Sequence, residues 1–133
     1  MPFYYHGPIA LKGRTETGRP IKLNRKKRKM ELGREPAMTM LGERKLKKIR
    51  AKGGNEKFRL LQDNEVNLVV GKGIVKKAKI IDVVENPSDI KLSRKKVITK
   101  GTIVRTDLGK AVITSRPGQD GVLNAVLIEE KAS

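Results

Sequence analysis

"VNLVVGKGIVKKAKIIDVV", residues 66–84, is the stretch on which the fold turns. Two runs rich in Val and Ile, 66–70 and 74–84, flank Gly71-Lys72-Gly73. Branched side chains suit a pleated, half-buried surface, and glycine allows a tight reversal, so the stretch predicts an antiparallel hairpin. The same grammar appears on both sides of it. Upstream, "KIRAKGGNEKFRLL" (48–61) sets Ile49 and Ala51 between basic residues, breaks at Gly53-Gly54-Asn55 and resumes with Phe58 and Leu60, a second hairpin signal. Downstream, Asn86-Pro87-Ser88-Asp89 marks a turn or a short helix start. The runs 102–106, 110–115 and 122–130 follow, separated by Leu108-Gly109 and by "RPGQDG" (116–121). Short β-branched segments with Gly and Pro between them predict a mainly β fold, a small closed β-barrel. Helix competes over 42–52, where Leu46 and Ile49 lie three apart, but strand is the preferred reading there.

Charge divides the chain more sharply than hydropathy does. The 133 residues carry 31 Lys and Arg against 14 Asp and Glu, a formal net charge of +17. Residues 1–59 hold 18 basic and 5 acidic side chains, a net of +13, while residues 60–133 hold 13 and 9, a net of +4. An excess of that size calls for a polyanionic partner, nucleic acid or an anionic membrane. The longest wholly apolar run is Ala125 to Ile128, far short of the ~20 residues that span a bilayer, and no secretory apolar region opens the chain. Nucleic acid is therefore the better partner, and a soluble, intracellular protein is expected. No cysteine is present and His6 is the single histidine, which excludes disulfides, thiolate metal sites and multi-histidine zinc.

Residues 1–36 contain four of the six prolines and no periodic apolar pattern, so they form no core of their own. They read as a basic RNA-binding extension, largely irregular and disordered in isolation, able to reach roughly 100 Å if thirty residues extend. Residues 37–130 read as the β-barrel domain and 131–133 as a tail. Arg25-Lys26-Lys27-Arg28-Lys29 is the strongest local feature, because closely spaced cations each meet a phosphate and release its counterions. A solvated charge run or an import signal is the bland alternative. Arg14, Arg19, Lys22, Arg34, Arg44, Lys45, Lys47, Lys48, Arg50 and Lys52 extend the basic surface beyond what an address tag needs. Glu31-Leu32-Gly33-Arg34-Glu35-Pro36 offers a glycine, a proline stop and two acids able to brace neighbouring arginines, the signature of an elbow. Lys91, Arg94, Lys95, Lys96 and Lys100 form a second basic cluster, either another RNA-facing patch or a strand edge kept from pairing by charge. Arg116, in a turn, and Lys72 are further phosphate candidates. Phe3, Tyr4 and Tyr5 are stacking candidates at the tip of the extension. With so few aromatics elsewhere, shape and phosphate contact are expected rather than sequence readout.

Catalysis finds no support in these residues. Ser115, Asp120 and His6 fail as a triad, since the histidine lies in the extension and Ser115 is outside a G-x-S-x-G elbow. Gly71-Lys72-Gly73 and Gly53-Gly54-Asn55 are too short for a P-loop. No cofactor, metal or small-molecule substrate is expected.

"RKKRKMELGREP" (25–36), "RAKGGNEKFRLL" (50–61), "VVENPSD" (83–89), "ITKGTIV" (98–104) and "ITSRPGQDGVLNAVLIEE" (113–130) stand in one order. Together they resemble the archaeal form of the S-eight-e family, the eighth eukaryotic-type protein of the small ribosomal subunit, from about Thr17 to Glu130. The resemblance implies a β-barrel seated on small-subunit ribosomal RNA, a basic N-terminal extension threaded along it, neighbouring ribosomal proteins as further partners, a cytoplasmic place in the ribosome, and no catalytic activity. Three positions depart from the family pattern: Glu16 within "GRTETGRPI", Met30 where an aromatic is common, and Lys96 where asparagine is common. A DNA-compacting basic protein is the alternative that the charge also permits, and an RNA-processing enzyme is the weakest reading.

Overall fold

The computed structural model describes residues 14–20, 25–26 and 28–130, with side chains as far as residue 128. The expectations for Phe3, Tyr4, Tyr5, His6, Lys22 and Lys27 lie outside the described residues. The chain divides into two units, Met1–Pro36 and Ala37–Ser133.

Within Ala37–Ser133 the order is β1 (Lys45–Arg50), β2 (Glu56–Gln62), β3 (Glu65–Gly71), β4 (Ile74–Glu85), α1 (Ile90–Arg94), β5 (Ile103–Thr106), β6 (Gly109–Ile113), α2 (Pro117–Asp120) and β7 (Asn124–Glu130). The last five strands close a barrel in the order β3-β4-β5-β6-β7. β7 returns to pair in parallel with β3, Leu68 opposite Ala125, while the other barrel pairs are antiparallel. Closure removes the unpaired sheet edges that invite aggregation. The expected mainly β fold with a closed barrel is the fold observed.

Period-two alternation fills the interior. Val66 and Leu68 of β3, Ala78 and Ile80 of β4, Ala111 and Ile113 of β6 and Ala125 of β7 point inward and are buried. Alanine on three of these four strands keeps the narrow interior from overfilling. The inward parity changes along β4, where a register shift between Ile80 and Asp82 puts Val83 in the core. Val84 is left exposed by the same shift, which bends this 12-residue strand around the barrel.

Two expectations need correction. The span 37–130 was read as barrel throughout, but β1 and β2 form a separate two-stranded sheet. Their strong basic content leaves them few apolar side chains to bury, and of the hairpin only Leu60 enters the core. The hairpin is fastened by Thr39, whose buried hydroxyl donates to Leu60 O at 2.7 Å while its own carbonyl accepts from Ile98 N at 2.8 Å. The segment 116–121, read as turn chemistry alone, instead winds one helical turn with Pro117 at its start. It ends at Gly121 in the left-handed region, φ 73°. A Cβ at Gly121 would lie 2.6 Å from Phe58 Cβ and 3.0 Å from Leu46 Cδ1, so glycine serves here both the backbone and the close approach of the hairpin.

Candidate nucleic-acid interface

In the Met1–Pro36 unit the described residues form two local turns. Arg14 bridges Pro20, Thr15 N donates to Arg19 O at 2.9 Å, and Gly18 N donates to Thr15 O at 2.8 Å. Gly18, at φ 80°, supplies the left-handed step. Arg14 Nη1 donates to Gly18 O at 2.9 Å, so part of this guanidinium secures the turn that carries Arg19.

The second turn encloses the basic run. Lys29–Glu31 is a single 3-10 turn. Glu31 accepts from both Arg25 terminal nitrogens, one at 3.0 Å, and from Arg28 N at 3.3 Å. This fork-to-fork pairing draws residues 25 and 31 together. Glu31 therefore braces an arginine, as the elbow reading expected, but the bend is centred on Lys29–Glu31 rather than on Gly33, which is not among the glycines at positive φ. The Arg25 hydrogen bond, followed by that from Arg28 N, holds the Glu31 carboxyl below the ordinary glutamate range despite the opposing effect of desolvation. The same Glu31 hydrogen bond raises the Arg25 guanidinium further above its ordinary value. Arg25 is half-buried and committed to this carboxylate, whereas Lys26, Arg28 and Lys29 are exposed. Arg34 is exposed beyond the turn.

In Ala37–Ser133 the candidates scatter over three places. Arg44 precedes β1, with Nη1 3.9 Å from Oδ2 of the buried Asp63. That carboxylate is anchored by Asn64 N and Glu65 N, at 2.9 and 3.1 Å. Lys48 and Arg50 lie on β1, and Lys48 Nζ is 2.6 Å from Glu56 Oε1 on β2. Lys52 sits in the 3-10 turn between these strands. The second place is α1, capped by Asp89, whose Oδ1 accepts from Lys91 N at 2.8 Å. Lys91, Arg94, Lys95 and Lys96 thus decorate a short helix and its exit, and the strand-edge alternative for this cluster does not hold. Buried Asn86 fixes the helix entrance and exit together, donating to Val97 O and Thr99 Oγ1, both at 3.0 Å, and accepting from Ser88 N at 3.1 Å.

Lys96 departs from its neighbours in two ways. Its φ is +56°, a left-handed conformation that asparagine tolerates better than lysine does. Its ammonium donates to both oxygens of Asp82 at 2.6 and 2.7 Å, and this contact, with Val83 N behind it, lowers the Asp82 carboxyl below its ordinary range. Lys96 ties the end of α1 to β4. The third place is Arg116, exposed at the N-cap of α2, where its N donates to Asp120 Oδ2 at 2.9 Å.

Asp120 thus has a structural task, and Ser115 has another, donating to Val122 O at 2.8 Å and accepting from Asn124 N at 2.9 Å. Among the described residues no three His, Cys, Asp or Glu side chains are grouped to hold a metal ion, and no helix is long and apolar enough to cross a membrane. Lys57 and Arg59 on β2, not among the sequence candidates, stand beside Lys47 on β1. The signal for them is the register of β1 against β2, which the Gly53-Gly54-Asn55 turn alone does not specify.

The sequence matches the family model of ribosomal protein S8e over residues 10–128. It is 56% identical over 130 residues to a protein named small ribosomal subunit protein eS8 from Nanoarchaeum equitans, covering 97% of this chain and all of that one. It is 52% identical over 119 residues to the eS8 of Staphylothermus marinus, covering 88% and 93% of the two chains. Against the eS8 of Methanobrevibacter smithii the identity is 53% over 108 residues, covering 79% and 85%. A match that spans the bracing turn, the hairpin, the α1 segment and the barrel leaves one conclusion: the chain belongs to the ribosomal protein S8e family.

Proposed function

We propose that this chain is a structural, non-enzymatic constituent of the small ribosomal subunit in the cytoplasm. It binds ribosomal RNA through phosphate contacts and stabilises the packing of RNA helices during assembly and translation, beside neighbouring ribosomal proteins. Its family and the names of its relatives support the assignment. The observation that carries the RNA chemistry is the Glu31-braced turn, which presents exposed Lys26, Arg28 and Lys29 from one short segment. Crowded RNA helices repel each other, and fixed cations between them remove that repulsion without immobilising a cloud of free ions. Arg14, Arg19, Arg34, Arg44, Arg94, Lys95 and Arg116 add positive charge, while Lys48 and Lys96 share theirs with Glu56 and Asp82.

The test replaces Lys26, Lys27, Arg28 and Lys29 with alanine and measures binding to small-subunit ribosomal RNA against salt. Each phosphate contact contributes roughly −0.9 to the log–log slope, so the four together account for a change of about 3.6. Arg25 is left in place because Glu31 already neutralises it. An unchanged slope, or a protein that leaves small subunits for the free pool at moderate salt, defeats the proposal. A DNA-compacting role predicts instead that duplex DNA displaces ribosomal RNA at equal salt.

A further inference from the structure

The barrel carries apolar side chains on its outside as well as in its core. Val69 follows buried Leu68, Ile103 precedes buried Val104, Val112 lies between buried Ala111 and Ile113, and Val126 follows buried Ala125. Alternation turns each of these four outward. Register then joins them into one row, for Val69 pairs with Val126, Val126 with Val112 and Val112 with Ile103. β4 meets the row at both ends, with Val75 opposite Val69 and Glu85 opposite Ile103, and Val84 stands just before Glu85. The row therefore crosses all five strands. Val75, Val84 and Val126 are 60%, 49% and 44% exposed, and Ile128, two residues beyond Val126, is 53% exposed. Branched side chains paired across strands support a sheet, but pairing leaves their outer surfaces in water. Contiguous exposed apolar surface rimmed by polar residues marks an interaction site.

The surroundings of the row select its occupant. Along one flank Asp82 is opposite Arg105, Arg105 opposite Lys110 and Lys110 opposite Glu129. Glu85 and Lys96, which binds Asp82, complete a balanced set, with Asp82, Glu85 and Glu129 set against Lys96, Arg105 and Lys110. On the other flank Asn67 donates to Asn124 at 3.0 Å, and Lys77 is opposite Asn67. On a chain of net charge +17 this face is nearly neutral. A polyanion gains little from it, because nucleic-acid interfaces are polar, strongly positive and driven by counterion release. An apolar centre without charge inside a polar rim is instead the anatomy of a protein interface.

We propose that the outer row from Val75 through Val126 to Val84 is a docking surface for an apolar, weakly charged segment of a neighbouring small-subunit protein. The proposal rests on the small-subunit reading above. It gives the barrel wall a task separate from the phosphate chemistry of residues 26–29.

The chain has no cysteine, so Val126→Cys offers a single point of attachment for benzophenone maleimide. The labelled full-length protein is incorporated into small subunits and irradiated. Labelled Met30→Cys, 74% exposed in the braced turn, is treated in parallel. The Val126 label forms adducts with another small-subunit protein, roughly tenfold over those with RNA, and the Met30 label forms adducts with RNA. RNA adducts, adducts with a second copy of this chain, or no adducts from Val126 overturn the docking surface. If Met30 still reaches RNA, the docking surface fails alone; if the unlabelled protein does not enter small subunits at all, the underlying reading fails with it. Should the label keep the protein out of subunits, Val126→Lys carries the test. It keeps the parent's melting temperature and affinity for a small-subunit ribosomal RNA transcript, but loses roughly tenfold to the parent in competition for small subunits. Equal incorporation overturns the proposal, as does a loss of melting temperature or RNA affinity large enough to account for the exclusion.

Discussion

The barrel and the β1–β2 hairpin are built on the same two-residue alternation but spend their side chains differently. In the barrel, alternate positions such as Val66, Leu68, Ala78 and Ile80 meet inside a closed wall and are removed from water. In the hairpin, one face docks through Leu46, Phe58 and Leu60, and the other gathers Lys47, Lys57 and Arg59. Burial of apolar surface drives folding, whereas a cluster of like charges opposes it. The difference teaches that this small unit obtains its stability in one place and gathers like charge in another. The hairpin does not need a large core of its own because Thr39 and Gly121 fasten it to one.

The largest effect expected is from Leu68→Ala, which removes a fully buried side chain from the barrel. It lowers unfolding stability by about 4 kcal/mol and the melting temperature by roughly 20 °C. Below the new melting point the salt slope of RNA binding is unchanged. A changed slope, measured well below melting, would join the two regions that the comparison separates.

Gly121→Ala has the next largest effect, about 3 kcal/mol, from left-handed strain together with the clash at Phe58. Hydrogen exchange then accelerates first in β1 and β2, with Leu68 and Ala125 amides in the barrel still protected. Equal acceleration throughout would mean that hairpin and barrel open as one cooperative element.

The smallest effect concerns the braced turn at residues 25–31. A carboxylate with a lowered folded-state pKa contributes above its unfolded value and loses that contribution as pH falls through the folded one. Glu31 is lowered by Arg25, so the brace is complete at neutral pH and opens only in acid below the ordinary glutamate range. The Glu31 carboxyl resonance followed by NMR checks this, and Arg25→Gln returns its midpoint toward ordinary values. A midpoint that does not move with Arg25→Gln excludes the pairing in solution.

Much of the barrel was legible because its signals are local. Gly71-Lys72-Gly73 reverses the chain between β3 and β4, and the β-branched runs through 102–130 correspond to β5, β6 and β7. The hairpin at 48–61 was legible too, including strand rather than helix at Leu46 and Ile49. Its exclusion from the barrel was not, because alternation does not state which sheet a strand joins. The α1 start was readable at Asp89, but Asn86 gave no sign of its tie to Val97, eleven residues away.

The candidate site shows the same limit. The cations of 25–29 are apparent as a run, and Glu31 was readable as a brace because three to six residues separate it from the groups it holds. Lys96 was grouped with Arg94 and Lys95 as RNA-facing, although its ammonium reaches Asp82 across 14 residues. The register that sets Lys57 and Arg59 beside Lys47 depends on what lies across the strand.

The chain by itself determined its charge, its turns and the residues able to alternate, since each follows from a side chain and its near neighbours. Only the tertiary structure decided which strands close on one another, which hairpin face meets Gly121, and which cations already have a carboxylate partner. Those outcomes depend on register and on contacts between residues distant in sequence, and a shift of one residue would turn each side chain of the hairpin to the other face.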